Sequence, residues 1–287
     1  MAIPKLASYP MPTVASFPTN KVAWALEPSR AVLLIHDMQE YFLAFYGDDS
    51  PLVKQLVDNI VALRSWCHAQ GIPVVYTAQP TEQSPADRAL LNDMWGPGLT
   101  TASRQVQQVV APLRPEAQDT VLVKWRYSAF QRSPLENMIK EGGRDQLIIC
   151  GVYAHIGCMV SATDAFMRDI QPFFVGDALA DFSEEEHRMA LRYVATRSGF
   201  VTGYQAIIGA PATVLDQGWL LGQLTPFLDA DDGMPGADDN LMDYGLDSVQ
   251  VMTLIGNWRR EGLDVSFADL AGRPTLTGWL AVLAAKR

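Results

Sequence analysis

The sequence predicts an α/β fold, a parallel sheet with helices on both faces, followed by a small all-α helical bundle. Over residues 1–210, short runs rich in Val, Ile and Leu alternate with segments whose apolar residues recur at helical spacing. That is the pattern of buried parallel strands joined by helices. Beyond residue 216 the strand-like runs cease, and an acid-rich stretch leads into helical spacing only. At about 100 to 200 residues per domain, a chain of 287 residues with 48% apolar residues has room for one large and one small core. We place the large domain at 1–210, a linker at 211–216 after the Gly209, Ala210, Pro211 break, and the small domain at 217–287.

The first strand is expected at 31–35 (AVLLI). Leu56, Val57, Ile60 and Leu63 then mark one face of a helix over 52–70. Strands follow at 72–77 (IPVVYT) and 120–123 (TVLV). Ser133 and Pro134 read as a cap and first-turn pair for a helix over 135–141. Two more strands are expected at 146–152 (QLIICGV) and 173–176 (FFVG). Ser183 followed by Glu186 is a capping-box signal for a helix running to about Arg197, and a last strand is expected near 200–208. In the tail, Ser248 opens a segment with Val249, Met252, Leu254, Ile255 and Trp258 at helical spacing. Leu241, Leu246, Met252, Leu263, Phe267, Leu270, Leu276 and Leu280 supply apolar positions for a bundle.

Several classes are disfavoured. No uninterrupted apolar run reaches membrane-spanning length, and the start, MAIPKLASYPMP, lacks a charged region followed by an apolar stretch, so neither secretion nor membrane insertion is expected. Three cysteines, Cys67, Cys150 and Cys158, do not make a disulfide framework, and a reducing cytoplasm is the expected location. The four histidines are scattered without zinc-site spacing. A net charge of −10 argues against nucleic-acid binding, while the acid gathered at 229–247 suits basic patches on partner proteins.

In open α/β sheets, ligands bind beyond the carboxyl ends of the strands. Polar residues directly after the apolar runs are therefore site candidates: Asp37, Gln79, Lys124, Tyr153 and Asp177. Any one of them also has an ordinary reading, because strands must turn polar where they reach water. Together they describe a pocket for a small, polar, anionic molecule. In the tail, Ser248 of DYGLDSV (243–249) stands at a helix start, where free N–H donors and the dipole favour a phosphate group. Asp-Ser is equally an ordinary N-cap pair.

Through LLIHDMQ (33–39), YTAQP (76–80), DRALLNDMWGPG (87–98), VKWRYSAF (123–130) and GVYAHIGCM (151–159), the large domain resembles the isochorismatase-like hydrolase superfamily, and within it the isochorismatases. The DYGLDSV segment resembles the prosthetic-group site of carrier proteins in nonribosomal peptide synthesis. The whole chain is similar to the bifunctional isochorismatase and aryl carrier proteins of catechol siderophore synthesis, of the enterobactin or vibriobactin type. This resemblance implies 4'-phosphopantetheine on Ser248, installed by a phosphopantetheinyl transferase. It implies loading with 2,3-dihydroxybenzoate by an aryl-acid adenylating ligase and delivery to the condensation domain of a nonribosomal peptide synthetase. Met252, Phe267 and Ala271 are either contacts for that downstream partner or bundle core. Asp229 and Asp247 are candidates to hold Mg²⁺ while the arm is installed. Association as a homodimer through the hydrolase domain is expected by the same analogy.

The wider superfamily forms covalent acyl intermediates with an Asp, Lys and Cys triad. By motif register Asp37 and Lys124 match the first two positions, while the nucleophile's place falls on Gly157; Cys158 is one residue late, turned by about 100° on a helix. The isochorismatases share this departure, and their substrate explains it. Isochorismate is an enol ether, cleaved by protonating a methylene carbon and trapping the cation with water, giving pyruvate and 2,3-dihydro-2,3-dihydroxybenzoate. Asp37 is the expected proton donor. Burial near Phe42 and Trp95 favours its acid form, a charged Lys124 opposes it, and the two substrate carboxylates offset the lysine. The resemblance makes Gln79, Arg88 and Tyr153 substrate binders, with a cis peptide between Val152 and Tyr153, and Phe42, Trp95 and Tyr127 pocket walls. His36 and His155 are expected to be structural. Two alternatives stay open: a thiol amidohydrolase using Cys158, and an inactive hydrolase fold serving only as a carrier.

Overall fold

The computed structural model describes residues 3–209, 215–229, 233–260 and 265–286. The chain divides into two compact units, Met1–Gly209 and Ala210–Arg287. Of the linker expected at 211–216, residues 211–214 lie outside the described residues, as does Leu263.

The first unit is built on a six-stranded sheet in the order β3-β2-β1-β4-β5-β6, with every pairing parallel. Its strands are β1 (Ala31–His36), β2 (Val74–Ala78), β3 (Thr120–Val123), β4 (Gln146–Val152), β5 (Gln171–Ala180) and β6 (Phe200–Thr202). Leu33 of β1 pairs with Val74 on one side and Ile148 on the other. Strand order therefore reverses between β1 and β4, the place where an open parallel sheet leaves a crevice at its carboxyl edge. Alternate residues feed two cores: Leu33, Ile35, Val74 and Ile148 belong to one, and Val32, Leu34, Val75 and Ile149 to the other. Strands covered on both faces read as continuous apolar runs, which is why β1 and β4 are legible as AVLLI and QLIICGV.

Helix α1 (Pro51–Ala69) starts where the Ser50 hydroxyl accepts the Val53 N–H and Pro51 takes the first turn. It buries Leu52, Leu56, Ile60, Leu63 and Cys67 along one stripe. α2 (Leu135–Glu141) begins one residue later than the cap reading implies: Pro134 is the N-cap, and the Ser133 hydroxyl accepts from Leu135 N–H at 3.3 Å. α3 (Met159–Phe166) follows a π-helical turn, Ala154–Cys158. α4 (Glu184–Tyr193) has the expected Ser183 cap, whose hydroxyl accepts from Glu186 N–H at 3.2 Å.

Two sequence expectations are corrected. β5 does not stop at Gly176 but continues to Ala180, so Asp177 lies inside a strand and is absent from the pocket described below. Its carboxylate instead accepts the Tyr204 N–H at 2.7 Å, at the start of α5 (Tyr204–Ile208). The strand expected over 200–208 is accordingly β6 only as far as Thr202, and the remainder is helical.

The second unit contains α6 (Gln217–Leu224), α7 (Ser248–Arg260), α8 (Phe267–Ala271) and α9 (Leu276–Ala285). Its core gathers Leu220, Leu224, Leu241, Leu246, Val251, Leu254, Ile255, Trp258, Leu270, Leu276 and Trp279. The face of α7 that turns inward is thus Val251, Leu254, Ile255 and Trp258. Val249 and Met252 are 73% and 54% exposed, against the expectation that they share the buried stripe, and Phe267 is exposed as well. Among the described residues, no helix is long and apolar enough to cross a membrane.

Candidate active site and carrier serine

The nine residues expected in the hydrolase site, Asp37, Phe42, Gln79, Arg88, Trp95, Lys124, Tyr127, Tyr153 and Gly157, line one pocket beyond the carboxyl ends of β1 to β4. Asp37 directly follows β1 in a left-handed conformation, φ 51°, and is buried. Its Oδ2 accepts from Lys124 Nζ at 2.5 Å, and its Oδ1 accepts from the Thr77 hydroxyl at 2.9 Å. Lys124 follows β3, two strands away, and is buried too, so the acid and the ammonium meet out of bulk water. Gln39 pins Gln79 from both sides: its Oε1 accepts the Gln79 N–H at 2.8 Å, and its Nε2 donates to the Gln79 carbonyl at 3.2 Å.

Arg88 is 5% exposed, and among the described residues no carboxylate lies within ion-pair range of it. Its Nε donates to the Gly96 carbonyl at 2.6 Å, and its Nη1 reaches Gln83 Oε1 at 3.4 Å. The guanidinium lies flat against Gly98, where any Cβ would come within 2.5 Å of Nη2. A buried guanidinium with no fixed counter-charge is a place for an anion to bind.

The walls are aromatic. Trp95 Nε1 donates to the Tyr127 hydroxyl at 2.8 Å. The Tyr153 hydroxyl donates to the Phe42 carbonyl at 2.7 Å, so the phenol is committed to the wall and its ring faces the pocket. The peptide bond joining Val152 to Tyr153 is cis. Phe182, two residues past the true end of β5, packs edge-on against Tyr153 and Trp95. The sequence reading missed Phe182 because it ended β5 early. It also missed Thr77 and Gln39, both visible as polar residues at the ends of apolar runs.

Gly157 sits in the π-helical turn, and a Cβ there would lie 2.1 Å from His36 Cε1 and 2.5 Å from Nε2. The volume that a nucleophile's side chain would need is filled by the His36 imidazole. Cys158, the next residue, is fully buried in the core on the other face of the sheet, and burial pushes its thiol well above the ordinary range. All three cysteines are buried and unpaired.

His155, expected to be structural, is held by Asp181. Its Nδ1 contacts Asp181 Oδ1 at 2.5 Å, and its backbone N–H donates to Oδ2 at 2.6 Å. Burial opposes a charged imidazole, but the hydrogen bond and charge of Asp181 outweigh it and raise His155. Burial also raises Asp181, against the hydrogen bonds it accepts from His155 and from the Phe182 N–H at 2.9 Å. Glu186 completes the group of three possible metal ligands found among the described residues, and Asp229 and Asp247 form no such group.

In the second unit, the Asp247 Oδ1 accepts the N–H groups of Val249 and Gln250, each at 2.8 Å, and Gln250 Oε1 accepts the Asp247 N–H at 2.8 Å. This is a capping box with Asp247 as the N-cap. Ser248 is therefore released from capping and stands exposed at the first position of α7. Asp229 is tied to the same turn by its N–H, which donates to the Tyr244 carbonyl at 3.0 Å.

Residues 31–206 match the isochorismatase domain family, and residues 219–283 match the phosphopantetheine attachment site family. The chain is 58% identical over 283 residues to enterobactin synthase component B of Escherichia coli (strain K12), covering 99% of this chain and 98% of that protein. It is 49% identical over 300 residues to the isochorismatase of Bacillus subtilis (strain 168), covering 99% of this chain and 96% of that protein. A solved cysteine hydrolase from Pseudomonas syringae pv. phaseolicola shares the fold of the first unit, with a TM-score of 0.60 at 22% identity over 67% of this chain and 96% of that one. The chain belongs to the isochorismatase family, in its bifunctional form with a phosphopantetheine attachment segment after the hydrolase domain.

Proposed function

We propose that the first unit hydrolyses isochorismate to pyruvate and 2,3-dihydro-2,3-dihydroxybenzoate by acid-driven cleavage of the vinyl ether. The second unit carries an activated 2,3-dihydroxybenzoate as a phosphopantetheine thioester in siderophore synthesis. The observation that carries the hydrolase reading is a buried Asp37–Lys124 pair facing Gly157, where the nucleophile of a thiol hydrolase would stand. Such a pair can move protons and hold anions, but it offers no atom for an acyl intermediate.

Asp37 delivers a proton to the terminal methylene of the enolpyruvyl arm, and the carboxylate left behind stabilises the adjacent oxocarbenium ion. Arg88 and Lys124 receive the two substrate carboxylates. Gln79 binds the ring hydroxyls, while Tyr153, Phe42, Trp95 and Tyr127 shape the walls and exclude water from all but the attacked carbon. A thiol amidohydrolase using Cys158 is disfavoured by the burial of that thiol on the far side of the sheet. The test is pyruvate release from isochorismate. Asp37→Asn should lower kcat by about 10²–10⁴-fold, the range of general acid catalysis, and turnover near the wild-type rate would remove Asp37 from that role.

For the carrier, a phosphopantetheinyl transferase modifies the exposed Ser248, an aryl-acid adenylating ligase loads the thiol, and a condensation domain receives the aryl group. Met252, Phe267 and Ala271 are exposed, which supports partner contact over core. Mg²⁺ takes six oxygen ligands, and Asp229 and Asp247 offer two carboxylates; we confine it to the installation of the arm, where the phosphates of coenzyme A supply further oxygens. A homodimer through the hydrolase unit would cover the groove that exposes Leu90, Met94, Met167 and Tyr193. Buried, unpaired thiols suit a reducing cytoplasm.

A further inference from the structure

One step of the hydrolysis still lacks a residue: something must take the proton of the water that quenches the cation. We propose that His36, through its Nε2 lone pair, holds and deprotonates that water, and so is a catalytic residue of the hydrolase site. This rests on the isochorismatase reading of the pocket.

His36 is 1% exposed, at the last position of β1, and lines the pocket beside Asp37. Its Nδ1 lies 2.7 Å from the Val152 carbonyl. A carbonyl oxygen only accepts, so Nδ1 carries the proton and Nε2 is left as the acceptor. Nε2 is buried and has no hydrogen-bond partner among the described residues, an arrangement that calls for an explanation. Burial, the largest influence, holds the imidazole down at about 4, and the Lys124 ammonium acts in the same direction; Asp37, whose Oδ2 lies 3.8 Å from Nδ1, the Val152 carbonyl and the Tyr127 backbone, which approaches the ring outside hydrogen-bond geometry, act against it. The Cε1–Nε2 edge points at Gly157, the position from which a thiol would attack in a covalent hydrolase. His36, Asp37 and Gly157 line the same pocket, so water held on Nε2 would stand inside it.

The protons balance. Asp37 gives its proton to the methylene carbon, and the alkene π electrons form the new C–H bond, leaving the carbon that bears the ether oxygen cationic. A water lone pair forms the C–O bond to that carbon while one water proton passes to Nε2. As the hemiketal collapses, its hydroxyl proton returns to the Asp37 carboxylate and the imidazolium proton goes to the departing ring oxygen. Acid and base are both restored.

The test is turnover in D₂O, reading pyruvate formation and deuterium in the vinyl methylene of recovered isochorismate. The wild type should trap the cation at once, giving deuterated pyruvate and unlabelled recovered substrate. His36→Asn keeps a donor toward the Val152 carbonyl and removes Nε2. It should lose about 10²-fold or more in rate, and recovered isochorismate should gain deuterium as the untrapped cation reverts. His36→Gln, which returns a polar atom near the Nε2 position, should retain more rate than His36→Asn; if the Asn variant does not fold, the same deuterium criterion is applied to the Gln variant. A slow variant with unlabelled recovered substrate, the mark of a merely structural histidine, would overturn the proposal, as would an unchanged rate. Failure of the isochorismatase reading looks different: the wild type itself would release no pyruvate.

Discussion

Gly157→Ala tests whether the loss of the nucleophile is built into the packing or is only a missing side chain. The added methyl would lie 2.1 Å from His36 Cε1, where ordinary contact begins at 3.4 Å, so the imidazole would have to move by about 1.3 Å. The ring cannot retreat freely, because Nδ1 is bonded to the Val152 carbonyl and the residue is buried. Overpacking of this kind costs about 1–3 kcal/mol. In a unit of this size that lowers Tm by roughly 2–12 °C. Moving His36 also moves Asp37, the next residue, and a shift near 1 Å at a reacting group costs about 10²-fold in rate. Scanning calorimetry and a pyruvate-coupled assay should therefore report loss of both stability and turnover. In the double variant His36→Ala with Gly157→Ala the clash is gone, and stability should recover relative to the sum of the single changes by about 0.5–3 kcal/mol. A Gly157→Ala protein with wild-type Tm and wild-type kcat would refute the interlock.

Cys158→Ala should leave isochorismate cleavage within a few-fold of wild type, with a modest loss of stability from the core void; abolished turnover would restore a role for the thiol. Arg88→Lys keeps the charge but loses the planar fork, so KM for isochorismate should rise roughly tenfold or more with a smaller change in kcat, as steady-state kinetics would report. Intact mass after incubation with a phosphopantetheinyl transferase and coenzyme A should increase by one phosphopantetheine in the wild type and remain unchanged in Ser248→Ala. His36 and His187 are held down at about 4 by burial, against about 6.5 in an unfolded chain. As pH falls from about 6.5 toward 4, the unfolded chain takes up protons that the folded one refuses, so their contribution is intact above that window and lost through it, by about 1–3 kcal/mol each. Urea midpoints should drop across this range, and less steeply in His187→Gln.

Much of the fold was readable because the sheet is covered on both faces. Gln146–Val152 matches its expected bounds to the residue, since a strand flanked by strands and helices has only apolar positions to offer; Thr120–Val123 matches too, through its β-branched residues, although it is an edge strand with Val121 and Val123 exposed. β5 was cut short because Gly176 and Asp177 look like a turn. Gly176 is in fact small to make room for the Phe17 ring, and Asp177 serves α5 from within the strand. Both reasons lie in residues more than twenty positions away. The same holds for the outward turn of Val249 and Met252 on α7: periodicity marks two possible stripes, and the core formed with Leu220, Leu270 and Trp279 selects one.

The sequence by itself determined which strand-end polar residues are candidates for the site, that Cys158 follows rather than occupies position 157, and that Ser248 opens a helix as the candidate attachment serine, because these depend on residue type and local spacing along one chain segment. Only the tertiary structure decided that the Lys124 ammonium lies 2.5 Å from the Asp37 carboxylate, and that an imidazole fills the space a side chain at Gly157 would need. Each of those facts is a distance between side chains. Such distances are set by how parallel strands far apart in the chain come into register, which no local pattern encodes.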